Sequence, residues 1–154
     1  MMLENICHVL IIGYLLIAAY IDQKTKFVYR IGSIFFIGIS MILFGVSVDF
    51  TLPITFERIF SILLASIAVI LQGKANLMGW GDVLTYIGVF IYLASWKYAH
   101  FSLELMAIYM LLANLLFLLF NIRKVDWKKK KFKEEAAFLP GMAGALLIML
   151  SVWG

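Results

Sequence analysis

Residues 101–120 read FSLELMAIYMLLANLLFLLF. Glu104 is the one charged side chain in these twenty residues, and neither Pro nor Gly interrupts them. At 1.5 Å rise per residue such a helix is about 30 Å long, the thickness of the hydrocarbon core of a bilayer. Five further runs resemble it: about Asn5–Ile21, Arg30–Val48, Ile54–Gln72, Leu77–Trp96 and Ala136–Trp153. Strands of a membrane barrel would be half as long and would alternate in polarity, which these do not. The expectation is an all-α polytopic membrane protein with six transmembrane helices, residues 1–154 forming one domain.

Composition agrees. Of the 154 residues 64% are hydrophobic and 14% charged, against roughly 45–50% and about 25% in a soluble domain. The first run has only Glu4 as a charge before it and no small-x-small cleavage site, so it reads as a helix and not as a signal peptide. The single cysteine, Cys7, excludes an internal disulfide and a multi-cysteine zinc site and reads as a packing residue. The net charge of +4 reflects topology rather than nucleic-acid binding.

The links between runs are of two kinds. Links 1–2, 3–4 and 5–6 hold eleven of the thirteen basic residues: Lys24, Lys26, Arg30, Lys74, Arg123, Lys124, Lys128–Lys131 and Lys133. The other side holds Arg58 and Lys97 with the acids Glu4, Asp49, Glu57 and Glu104. Lys and Arg stay cytoplasmic. The reading is therefore a multi-pass protein of the cell membrane, both termini outside, with odd-to-even links in the cytoplasm. The Lys128–Lys133 tract is expected to anchor this side and attract anionic lipid.

Polar groups within such a chain are few, and costly enough to be informative. His8 and Glu104 belong to the outer ends of their runs. Asn114, at mid-helix, reads as an interhelical hydrogen-bonding group. Only Asp22, at the end of the first run, and Asp82, at the start of the fourth, share both a side and a depth. Two carboxylates that meet across a bundle share a proton, so that one activates water while the other polarises a carbonyl. That is aspartic peptide hydrolysis, and it needs no metal or cofactor. The competing reading is plain: Asp82 caps a helix and Asp22 marks a water edge. Helix polarity distinguishes the two, because an N-terminus favours the charge at Asp82 and a C-terminal end does not at Asp22. Thr85 and Tyr86 follow Asp82 on the same helix face; they read first as packing residues, with hydrogen bonding to a carboxylate or to substrate as the second reading.

The motifs resemble those of a known family. Ala18-Ala19-Tyr20-Ile21-Asp22, followed by basic residues, resembles the first aspartate motif of the type IV prepilin peptidases. Met78-Gly79-Trp80-Gly81-Asp82 resembles their Gly-x-Gly-Asp motif, and Phe138-Leu139-Pro140-Gly141 is similar to the opening of their last helix. The resemblance runs through nearly the whole chain in order and spacing. Two positions depart: Val28-Tyr29-Arg30 replaces the usual Ile-Pro-Asn, and Leu84 stands where a lysine is usual. The chain lacks the segment with paired Cys-x-x-Cys motifs, and so resembles the short, peptidase-only form.

The resemblance implies a membrane aspartic endopeptidase with Asp22 and Asp82 as catalytic residues. Its partner would be a pilin-like precursor with a short basic leader, cut at the cytoplasmic face. Gly79 and Gly81, lacking Cβ atoms, would let an extended substrate backbone approach. Two alternatives are an inactive scaffold that only holds pilin precursors, and a small transporter with the two acids as ion or proton sites.

Overall fold

In the computed structural model the described residues are 2–25, 30–47, 52–75, 77–96, 102–122, 125–126, 131–132 and 137–153. The helices are α1 (Met2–Thr25), α2 (Arg30–Ser47), α3 (Leu52–Lys74), α4 (Trp80–Ala94), α5 (Ser102–Asn121) and α6 (Leu139–Trp153). Between α5 and α6 lie two short antiparallel strands, β1 (Val125–Asp126) and β2 (Lys131–Phe132), the one local exception to an all-helical architecture among the described residues. Of the Lys128–Lys133 tract, Lys128–Lys130 and Lys133 lie outside the described residues, and Lys131 is known only as part of β2.

Four helices, α1, α2, α3 and α5, are long and apolar enough to cross a membrane. Their outward faces carry large apolar side chains: Phe35 is 71% exposed, Phe56 72% and Leu111 72%. Apolar surface on this scale is matched by lipid and not by water. The two remaining helices, α4 and α6, have 15 residues each, about 22 Å of rise. Each begins three residues inside its expected run. Gly79 takes an extended conformation (φ −72°, ψ 154°) as the residue before α4. Pro140, in the first turn of α6, fixes the start of that helix, where a missing N–H costs little. In compensation α1 continues to Thr25, beyond the expected end at Ile21.

α4 is the centre of the bundle. Twelve of its fifteen residues are buried, as befits a helix that is apolar on every face. It packs most extensively on α2, then on α3 and α5, while α1 packs on α6 and α2, and α5 on α6. Small residues set the close approaches. A Cβ added at Gly141 would stand 2.8 Å from the Ala113 carbonyl oxygen and 2.8 Å from the Phe117 nitrogen, so α6 lies directly on the backbone of α5. Gly88 faces the Phe36 ring, and Gly73 at the end of α3 faces Val83.

Hydrogen bonds tie helix ends in two groups. At one end are the last turns of α1 and α5 and the first turns of α2, α4 and α6. At the other, His8 Nδ1 pairs with Tyr92 Oη at 2.9 Å, and Ser47 Oγ donates to Glu4 Oε1 at 3.4 Å. Arg58, read as an outer-side charge, is only 5% exposed and donates to the Ala94 carbonyl at 2.7 Å, at the C-terminal end of α4. Asn114 bonds back to Met110 within its own helix. The residue that joins helix to link is instead Asn121, whose Nδ2 donates to Phe117 O at 2.9 Å and to Ala137 O at 3.1 Å.

Candidate active site

Asp82 is the third residue of α4. Its Oδ2 accepts the Gly79 N–H at 3.2 Å, and the Gly79 carbonyl accepts from Val83 N at 3.1 Å. This is the half of a capping box that a glycine permits: the acid at the third position satisfies the amide before the helix. Gly79 is exposed, and a Cβ placed on it would meet Asp82 Oδ2 at 3.2 Å. The glycine therefore leaves room for the carboxylate. Gly81 lies differently from its expected role. It is buried within the first turn, and its carbonyl accepts from Thr85 Oγ1 at 2.9 Å and from Ser33 Oγ at 3.2 Å.

Asp22 stands in the last turn of α1, inside the helix and not at its close. Its Oδ2 accepts the N–H of Leu139 at 2.9 Å. Leu139 is the first residue of α6, so Asp22 satisfies an amide that the helix cannot satisfy itself. The expected asymmetry of helix polarity is thereby lost. Both carboxylates sit at helix N-termini, Asp82 on its own helix and Asp22 on α6.

The two acids come from helices joined through α2, which packs on both α1 and α4. Ser33 of α2 lies 3.3 Å from Tyr14 Oη on α1 and 3.1 Å from Thr85 Oγ1 on α4. Phe138, immediately before Leu139, packs its ring on Tyr86 of α4 at 5.8 Å and on Phe117 of α5 at 4.6 Å. Asp22 and Asp82 end within electrostatic reach of each other, 4% and 9% exposed. Two carboxylates within such reach and out of water make each other harder to ionise.

One oxygen distinguishes the site. Asp82 Oδ1 is buried and makes no hydrogen bond. Its sister oxygen does the capping, so Oδ1 remains available for chemistry. The Tyr86 hydroxyl, one turn on, is likewise buried without a partner. Thr85 is confined to the Gly81 and Ser33 contacts and keeps its packing role. Of the departing positions, Leu84 is half-buried and Arg30 exposed at the start of α2; Val28 and Tyr29 lie outside the described residues.

Ser33 and Tyr14 escape a reading of the sequence, because one serine or tyrosine in an apolar run has many bland explanations. Their signal is position: Ser33 is the first polar side chain of the second run after Arg30. No group of three or more His, Cys, Asp or Glu with metal-ligand geometry occurs among the described residues. A cleft of about 540 Å³ lies at the opposite end of the bundle, lined by Glu4, His8, Trp96 and Trp153 among others, and contains neither aspartate. Comparison with protein-family models, with curated proteins and with solved structures finds no match to this chain.

Proposed function

We propose that this chain is a membrane aspartic endopeptidase of the type IV prepilin peptidase kind. The observation that carries the reading is the pair of buried carboxylates from α1 and α4, within electrostatic reach, one of them with an unpartnered buried oxygen. The motif resemblance at Asp22, at Gly79–Asp82 and at Phe138–Gly141 supplies the substrate class, a pilin-like precursor with a short basic leader. In this reading all six helices span the cell membrane, both termini lie outside, and the acids stand at the cytoplasmic face. The leader is cut where the precursor's hydrophobic helix leaves the membrane, and the Lys128–Lys133 tract contacts anionic lipid.

The chemistry follows from one shared proton. Asp82 Oδ1 takes a proton from water as the water oxygen bonds to the scissile carbonyl carbon. The carbonyl oxygen takes the proton held by Asp22. Asp82 then returns its proton to the leaving nitrogen as the C–N bond breaks, and Asp22 recovers its own from the hydroxyl that becomes part of the new carboxyl group. A transport role fits less well, because the acids stand in the last turn of α1 and the first turn of α4 and not at mid-helix.

Co-expression with a pilin-like precursor tests the proposal. Leader removal by the parent, and by neither Asp22→Ala nor Asp82→Ala, supports it. A parent that binds the precursor but leaves it intact replaces it with the scaffold reading.

A further inference from the structure

Four tyrosines reach into the bundle among the described residues, and three of them spend their hydroxyls on internal partners. Tyr14 Oη lies 3.3 Å from Ser33 Oγ, Tyr92 Oη 2.9 Å from His8 Nδ1, and Tyr109 Oη donates to the Met142 carbonyl at 3.2 Å. Tyr86 differs. It is fully buried, and its hydroxyl has no partner. A hydroxyl out of water normally finds an acceptor, and one that does not asks for an explanation.

Its position provides one. Tyr86 follows Asp82 by four residues on the same helix. Side chains on a helix lean toward its N-terminus, so a residue at i+4 is carried over the turn that holds residue i. The Tyr86 hydroxyl is within electrostatic reach of Asp82, whose Oδ1 is also buried and unpartnered. The ring has little freedom to turn away. It packs against Phe90 at 5.7 Å, Tyr109 at 5.6 Å and Phe138 at 5.8 Å. Phe138 precedes the amide that holds Asp22, so the clamp on Tyr86 and the anchor of the first acid are adjacent residues.

We propose that Tyr86 is a third catalytic group, its hydroxyl and Asp82 Oδ1 together holding one oxygen atom of the reacting centre. The inference rests on the peptidase reading. Tyr86 transfers no proton. It donates a hydrogen bond to the oxygen that begins as the attacking water and becomes a hydroxyl of the tetrahedral intermediate, while the proton leaving that oxygen goes to Asp82. A packing role makes the opposite forecast, since phenylalanine would fill the same space without an unsatisfied hydroxyl.

Purified full-length protein in liposomes, given a pilin-like precursor, separates the two roles. Tyr86→Phe is expected to lower kcat roughly tenfold to a hundredfold, as misalignment of the attacking water by a fraction of an ångström to about 1 Å does. KM should stay within about twofold, because the bond forms only at the reacting centre. The melting temperature should hold or rise. Parental kcat in Tyr86→Phe would overturn the proposal. A parent inactive on every precursor would sink the peptidase reading itself. The tyrosine would then be judged by infrared spectroscopy, with an isotope-labelled tyrosine placed at position 86 alone. A hydroxyl-sensitive band that shifts in the Asp82→Asn variant sustains the pairing of Tyr86 with Asp82, and a band that ignores the change refutes it.

Discussion

The N–H of Leu139 donates to Asp22 Oδ2 at 2.9 Å, across 117 residues of sequence. The first amide of α6 is thus held by the last turn of α1, and a carboxylate of the candidate pair is also a structural fastener. Charge and fastening can be separated by substitution. Asn at position 22 keeps an acceptor oxygen for the amide and removes the acid. Asp22→Asn should abolish leader cleavage, by a factor of about 10³ or more, with thermal stability near that of the parent. Asp22→Ala should lose cleavage and also about 1 kcal/mol of stability, the usual worth of such a cap. Melting curves of the two variants in one detergent check the difference.

The helical architecture is legible because the six apolar runs each become a helix, four of them long and apolar enough to cross a membrane. Asp22 and Asp82 are legible because carboxylates in such a chain are scarce. What meets them is not. The Leu139 amide is chemically the same as any other backbone N–H, so nothing in residue 139 announces its partner. Ser33 acquires meaning only once α2 and α4 are packed, and the packed bundle is what shows the Tyr86 hydroxyl buried without a partner. The polarity argument is incomplete for the same reason: it considers each acid on its own helix, whereas α6 delivers a second N-terminus to Asp22. Arg58 is assigned a side from its charge, and the fold adds that it is buried there, closing the end of α4 remote from the acids.

Gly79 is a sensitive position although it is exposed. A methyl group there would meet Asp82 Oδ2 at 3.2 Å and displace the carboxylate. Gly79→Ala is expected to reduce cleavage about tenfold while the protein stays folded. Gly38→Ala is the control, since nothing lies within 4 Å of a Cβ at that position. It should leave cleavage unchanged and, within α2, add about 0.5–1 kcal/mol of stability. Equal activity of the two variants would show that the Gly79–Asp82 contact is unimportant.

Gly141 carries a different load. The atoms that a Cβ would meet there belong to the backbone, Ala113 O and Phe117 N at 2.8 Å, and cannot move aside as a side chain can. Gly141→Ala should force α6 from α5 and cost about 1–3 kcal/mol. Because the head of α6 anchors Asp22, cleavage should fall with it. Gly144→Ala meets only the Leu116 Cδ1 methyl, at 3.1 Å, and should be milder in both respects. Melting temperature and cleavage measured on the same preparations test whether the two losses travel together.

Arg58 holds the end of α4 that is remote from the acids. Its Nη1 donates to the Ala94 carbonyl at 2.7 Å, where a cation also meets the negative end of the helix dipole. Arg58→Met keeps much of the side-chain volume and removes the charge and the donor. The expected cost is about 1.5–3 kcal/mol, the range for a hydrogen bond to a charged group. The intrinsic cleavage rate of the folded fraction should be unchanged, because the first turn of α4 is fixed separately by Ser33 and Gly79. A fall in that rate at constant folded fraction would instead join Arg58 to the chemistry.

A pair that shares one proton works in one ionisation state only. With both acids protonated no carboxylate remains to take a proton from water, so cleavage should fall on the acid side. With both ionised none remains to protonate the carbonyl oxygen, so it should fall on the alkaline side. The pH dependence of kcat should therefore be bell-shaped, and its two limbs belong to the pair and not to one residue each. Tyr86→Phe should lower this curve while largely preserving its shape, because the hydroxyl donates a bond without exchanging a proton. Asp22→Asn and Asp82→Asn should each remove the curve altogether. A profile with only one limb between about pH 4 and 9, or residual turnover in either Asn variant that follows a single ionisation, would mean that one acid acts alone. The capping bond of the other would then be its whole function.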